Sequence, residues 1–356
     1  MSGEIRITSK RNIGLDLLRI GLAILIYMFH SNMHLYCQYG IFTHFVQMGA
    51  IAMTGFFMMS GYVLNFSNKE VLTDISSYKK FMIKRLVSIL PLYYFVALVY
   101  ILLMNKESWQ SLLLLFPFEV LGLQSCFTSL FGVSHNGGTW FISCLMICYI
   151  LFPFIQWLLL RISERSKIAL GGGIFCILVL SSLLQRHFNL ASIYANPFFR
   201  MLEFTMGVLA YMVGQEIRSE KIMKMLKSKF FLLFCVALLV AGVSVGDIML
   251  GENVRDFMLM NIVAIPCFFL IFISMGYVSF NRLSDCKIVT YGSKLSYAFF
   301  LAQFFVFPLS YHIIAYWIQI DTNIMRIMVS FVVCFCISVF LHEAIEKPSA
   351  KLLIKR

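Results

Sequence analysis

"RIGLAILIYMFH" (Arg19–His30) sets an arginine and a histidine at the two ends of ten uncharged, mostly apolar residues. The run lies inside a longer apolar stretch, 13–34, of the length that crosses a bilayer core of about 30 Å. Ionisable side chains at that depth are costly and are functional candidates by default. The rest of the chain has the same character. Of 356 residues, 60% are hydrophobic and only 13% charged, against about 25% charged in soluble domains. Apolar runs of about 20 residues recur from end to end, and a helix satisfies its own backbone in lipid. The expected fold class is therefore all-α, a polytopic membrane protein. The short alternating strands of a transmembrane β-barrel are absent from the sequence.

Ten long spans are expected, at 13–34, 44–66, 84–104, 139–160, 168–186, 198–215, 229–249, 256–279, 294–318 and 323–345. A shorter run, 108–124, contains Pro117 and Glu119 and reads as a re-entrant or interfacial piece. Net charge is +12. In a soluble chain such a balance would suggest nucleic acid, but here the basic residues fall in alternate loops and no nucleic-acid partner is expected. Arg6, Lys10 and Arg11 precede the first span; Lys69, Lys79, Lys80, Lys84 and Arg85 follow the second. Arg218, Lys221, Lys224 and Lys227 follow the sixth, and Lys347, Lys351, Lys355 and Arg356 the last. Arg161, Arg165 and Lys167 follow the fourth and Arg282, Lys287 and Lys294 the eighth, and the loops that alternate with these basic ones hold only Lys106, Arg186 and Arg255. The positive-inside rule then puts both termini, 1–12 and 346–356, in the cytoplasm. The first apolar run lacks a small-residue cleavage site, so it reads as a retained span. The expectation is one domain over 1–356, in the plasma or inner membrane and in contact with its lipids.

In this orientation Asp16 and Arg19 lie near the cytoplasmic end of the first helix and His30 toward the outer end. Eleven residues of helix separate Arg19 from His30 by about 16 Å along the axis and leave them about 20° from the same face. Arg19 suits phosphate or carboxylate recognition, and His30 takes and returns a proton near neutral pH. The plainer readings are that Arg19 snorkels and pairs with Asp16, and that His30 merely sits at the outer interface.

The stretch "RNIGLDLLRIGLAILIYMFH" (11–30) resembles the opening signature of the acyltransferase-3 family of membrane O-acyltransferases. Further segments are similar in order: "GFFMMSGYVL" (55–64), "KRLVSILPLYY" (84–94), "GTWFISCLMICYILFP" (138–153), "FRMLEFTMGVLA" (199–210), "LSYAFFLAQ" (295–303) and "IEKP" (345–348). The resemblance covers nearly the whole chain. One departure is that many relatives end the "LSYAFFLAQ" segment with His, where this chain has Gln303. Gln hydrogen-bonds but carries no proton at neutral pH.

The resemblance implies transfer of an acyl group, by default acetyl from acetyl-CoA, to a hydroxyl of a sugar or related acceptor, of the kind that modifies bacterial polysaccharides. Acetyl-CoA is then a donor substrate, and no permanently bound cofactor and no metal are expected. His30 is the candidate general base, the commonest choice for that work, with Asp16 on the same helix. Trp140, Asn136 and the Gly137–Gly138 backbone are possible donors to the developing oxyanion. Arg19, Lys84 and Arg85 lie at the depth expected for CoA phosphates, although Lys84 and Arg85 also serve topology. Arg200 and Glu203, at i and i+3, read either as a structural ion pair or as an acceptor contact; Gln303 joins them as an acceptor-side candidate. Gly49, Gly55 and the Ser60–Gly61 step permit close helix packing, the preferred role for Ser60. "HEAIE" (342–346) lacks the second His of a zinc-protease helix, and "GGG" (171–173) lacks the Lys-Ser/Thr of a phosphate loop. Cys37 and Cys126 could pair in an oxidising compartment. A glycan or lipid-linked sugar is the expected acceptor. The alternatives are a transporter or flippase, which would carry internal repeats, and a non-catalytic partner in polysaccharide assembly.

Overall fold

The structure, a computed structural model, describes residues 12–68, 74–104, 108–127, 139–190, 193–250, 256–280 and 286–354. Among these residues every regular element is helical. The first half holds α1 (Ile13–Leu35), α2 (Thr43–Gln47), α3 (Ala52–Ser67), α4 (Ile75–Met104), α5 (Trp109–Val120), α6 (Thr139–Leu159) and α7 (Glu164–His187). The second holds α8 (Pro197–Glu216), α9 (Glu220–Leu226), α10 (Lys229–Leu250), α11 (Asn261–Tyr277), α12 (Lys287–His312), α13 (Asn323–Leu341) and α14 (Lys347–Ile354). Wide π-helical turns extend α12 over Ile313–Ile318 and join α13 to α14 over His342–Glu346.

Among the described residues, seven stretches are long and apolar enough to cross a membrane: α1, Gly49–Ser67, Ile75–Leu103, α6, α7, α10 and Asn323–Leu352. The two arms of α12 make an eighth if they count as one span. The expected count of ten is not reached on length and composition, for two local reasons. α8 has 20 residues but carries Arg200, Glu203 and Glu216, and α11 has only 17 residues. α5, at 12 residues, rises only about 18 Å and is too short to span, in keeping with the interfacial or re-entrant reading of 108–124.

Burial separates an inner set of helices from an outer one. In α3, 78% of the apolar window is buried inside the protein, and in α1 and α6 61%, whereas α7 buries 17% and α4 22%. The closest packing is α3 against α8, where two glycines remove the side chains that would hold the backbones apart. A Cβ on Gly207 would lie 1.8 Å from the Met58 carbonyl oxygen, and one on Gly61 2.0 Å from that of Phe204. Gly55 and Gly49 likewise face Leu22 and Phe29 at 2.8 Å, as the small-residue reading expected.

α1 starts at Asn12, whose side chain accepts from Gly14 N and Leu15 N and so satisfies two of the orphan donors at a helix start. It ends where Tyr36 turns left-handed at φ 56°. α1 packs along α12, and α12 on α13. Tyr27 pins this trio: its ring lies 5.6–5.8 Å from those of Phe299, Phe307 and Phe331, and its hydroxyl is 2.6 Å from Ser330 Oγ. α12 is bent by 69° between Lys287–Gln303 and Phe305–Ile318. Pro308 accounts for the position. Proline has no N–H for the carbonyl four residues earlier, that of residue 304, and its ring clashes with it. The bend therefore falls immediately after Gln303.

Candidate functional site

A cavity of about 360 Å³ opens at the Arg19 end of α1. Each of its walls is one helix face, read off at helical spacing. α3 contributes Met53, Phe56 and Ser60, α6 Phe141, Leu145 and Tyr149, and α12 Ser293, Ser296, Tyr297 and Phe300. Arg19, Arg85 and Lys294 bring three cationic groups to it from α1, α4 and α12. The Arg85 guanidinium lies over the rings of Phe81 and Tyr149 at 5.5 and 5.9 Å, and its buried Nε has no partner. His342 and Glu346, joined at 2.7 Å across the π-helical turn, complete the wall. The lining is thus basic and hydroxyl-bearing, with an apolar side of Met53, Phe56, Phe141 and Phe300.

His30 lies on the same helix, toward its other end. It is 9% exposed, and its Nδ1 is 2.7 Å from Oε1 of Gln303, which is fully buried. An amide oxygen only accepts, so Nδ1 carries the proton and Nε2 the lone pair. That is the tautomer a general base at Nε2 requires. Phe29 and Phe307 flank the imidazole at 5.2 and 6.5 Å, and His34, one turn outward at 6.1 Å, stacks on Phe307.

A third polar centre joins α3, α8 and α11. Arg200 Nη1 donates to Glu203 Oε2 at 2.7 Å, and both side chains have no exposure. Glu203 Oε1 also accepts from Asn261 Nδ2 at 2.8 Å and from the Thr54 hydroxyl at 3.0 Å. Arg200 Nε donates to the Tyr194 carbonyl at 2.7 Å. Its guanidinium is caged by Tyr194, Trp140 and Phe57 at 4.5, 5.3 and 5.5 Å. A buried pair with this many partners avoids most of the desolvation penalty that an unpaired charge would incur, and it ties three helices together.

The family model for an acyltransferase domain, Acyl_transf_3, matches residues 12–343. The chain belongs to the acyltransferase-3 family. No curated protein and no solved structure gives a significant match.

Against that family background, the candidate residues fall into distinct places. Arg19 and Arg85 meet at the cavity, while Lys84, one residue earlier on α4, is exposed and outside it. Asp16 lies fourteen residues below His30 on the same helix, about 21 Å along the axis. It accepts from Ser293 Oγ at 2.6 Å, which suits it to anchor α1 on α12 rather than to act beside His30. Trp140 is buried in the cage around Arg200. Arg200 and Glu203 form an ion pair at 2.7 Å that is sealed from solvent. Asn136, Gly137 and Gly138 lie outside the described residues. Cys37 and Cys126 are both free thiols. Cys37 is fully buried and burial pushes its thiol up to about 11, whereas Cys126 is exposed.

Gln303, an acceptor-side candidate from sequence, lies against His30 and is its hydrogen-bond partner. Lys294, Tyr149, Tyr297 and Ser60 at the cavity were not singled out from sequence for this role. A signal existed for α12. Ser293, Ser296, Tyr297 and Phe300 follow helical spacing, a hydroxyl-rich stripe within an apolar span.

Proposed function

We propose that this chain is an integral-membrane O-acyltransferase that moves an acetyl group from acetyl-CoA to a hydroxyl of a cell-surface or exported glycan. The observation that carries the reading is one helix, α1, which brings Arg19 to a basic cavity at one end and a buried His30–Gln303 pair toward the other. CoA presents phosphates, which Arg19, Arg85 and Lys294 suit as charge-assisted donors. The pantetheine arm then runs along the apolar side of the cavity toward His30, about 16 Å away along α1. His30 Nε2 takes the proton of the acceptor hydroxyl, and the oxygen attacks the thioester carbonyl. The C–S bond breaks, and the departing thiolate takes the proton back from the imidazolium. The products are an acetyl ester and CoA.

Orientation follows from the basic loops: both termini and the Arg19 cavity face the cytoplasm, in the plasma or inner membrane, and His30 is reached by the acceptor from the outer half. Ten spans fit this alternation if α8 and α11 also cross. The Arg200–Glu203 pair is mutually neutralised, which makes α8 tolerable in lipid. The whole chain then acts as one membrane domain.

Purified protein incubated with radiolabelled acetyl-CoA and a glycan extract from the source cell should put label into the glycan. A transporter or a non-catalytic assembly partner would leave all label in acetyl-CoA or acetate, and that result would refute the proposal.

A further inference from the structure

The His30–Gln303 pair leaves one polar group unexplained. Gln303 is fully buried, and its Oε1 is taken by His30 Nδ1. Its Nε2, with two N–H bonds, reaches no acceptor. Burying a donor without an acceptor is unfavourable, and such groups in native proteins call for an explanation. The side chain also sits at a structural break, on the last residue before α12 bends by 69°.

We propose that Gln303 is a catalytic residue: its Nε2–H donates to the carbonyl oxygen of the acyl thioester and stabilises the negative charge that develops there. This rests on the acyl-transfer reading above. The same amide then has two tasks. Oε1 holds His30 as the Nδ1–H tautomer, and Nε2, bonded to the same carbon and without a partner, is the donor assigned to the carbonyl oxygen. As the acceptor oxygen gives its proton to His30 Nε2 and bonds to the carbonyl carbon, the π pair moves onto the carbonyl oxygen, into the Gln303 N–H. When that pair returns, the C–S bond breaks, and the thiolate sulfur takes the proton from His30. Nothing is oxidised or reduced, and Gln303 itself neither gains nor loses a proton. A donor aimed at developing charge in a site closed to water is among the largest contributions to catalysis. A carboxylate at this position would orient His30 equally well, but it has no N–H and would add negative charge where negative charge forms. A neutral histidine, like an amide, both accepts and donates.

The test uses the full chain in detergent, with radiolabelled acetyl-CoA and the glycan extract as acceptor, and the variants Gln303→Leu, Gln303→Glu and Gln303→His. Rates are taken across the pH range in which histidine titrates, and thermal midpoints are recorded. Loss of an oxyanion donor costs about 10²–10³ in kcat. That loss is expected for Leu and for Glu at every pH, with the KM for acetyl-CoA unchanged. The His variant should recover most of the rate. The Leu variant removes the unsatisfied Nε2 but also the acceptor of His30 Nδ1–H, so its thermal midpoint is read beside its rate to separate a loss of chemistry from a loss of fold. A Glu variant at wild-type rate with a shifted pH profile would reduce Gln303 to a positioning residue and overturn the proposal. So would a Leu variant within a few-fold of wild type, or one that loses activity only because it loses its fold. Wild-type protein that transfers no acetyl group would overturn the parent reading as well.

Discussion

Replacing Gly207 by alanine should drive α3 and α8 apart. A Cβ at Gly207 lies 1.8 Å from the Met58 carbonyl oxygen, 2.5 Å from its carbon and 2.7 Å from Met58 Cα, whereas ordinary contact begins at 3.4 Å. The backbones must part by the difference, 1.6 Å, and no rotamer change relieves it because all three atoms are main chain. Gly61 faces the Phe204 carbonyl at 2.0 Å in the same crossing, so there is no slack on the other side. The separation also stretches the 3.0 Å bond from the Thr54 hydroxyl to Glu203, which links the same two helices, beyond hydrogen-bond range. Overpacking costs about 1–3 kcal/mol, and a lost hydrogen bond to a charged group about 1.5–3 kcal/mol. The expected destabilisation is therefore about 2.5–6 kcal/mol, a large share of the stability of an ordinary domain. The assay is thermal unfolding of the detergent-solubilised protein beside a control, Gly172→Ala, where a Cβ meets nothing within 4 Å. The control should melt at or above wild type, since alanine is favoured over glycine in a helix by about 0.5–1 kcal/mol. Equal midpoints for the two variants would refute the close-approach argument.

His30→Ala should cost acetyl transfer about 10²–10⁴-fold, the usual contribution of a general base, while the protein stays folded in the membrane; activity within a few-fold of wild type would end its role as the base. Arg19→Lys keeps the charge but loses the fork geometry, so the dissociation constant for acetyl-CoA by calorimetry should rise about tenfold, or about 1.4 kcal/mol. Lys294→Ala should weaken binding in the same direction, more at low salt, and Lys84→Ala, outside the cavity, should leave it unchanged; equal effects at all three would argue for unspecific surface charge. Topology can be read by impermeant thiol labelling in a background without native cysteines. Ile41→Cys, at a position 86% exposed, should label in intact cells, and Ser219→Cys only after permeabilisation; the reverse pattern would invert the orientation.

The sequence by itself determined the helical class, because a chain in lipid must satisfy its backbone within each segment and hydropathy records where those segments run. It also determined the spacing of Arg19 and His30, since both lie on one regular helix. Gly49, Gly55 and Gly61 could be read as close approaches from local rules alone. The membership of the family was legible too, because the quoted segments occur in order along the chain.

Only the tertiary structure decided which groups meet. Gln303 joins His30 across 273 residues. Arg85 enters the cavity while Lys84 stays outside, because one residue of helix turns a side chain by about 100°. Lys294 reads in sequence as one more topogenic loop charge, and becomes a cavity residue only when α12 packs on α1. Arg200 and Glu203 are visible as an i, i+3 pair, but their partners Thr54 and Asn261 come from two other helices. The unsatisfied amide nitrogen of Gln303 has no sequence signature at all. The physical reason is common to these cases. Periodicity fixes a side chain's angle around its own helix, whereas the partner it meets depends on how neighbouring helices turn, tilt and bend when they pack.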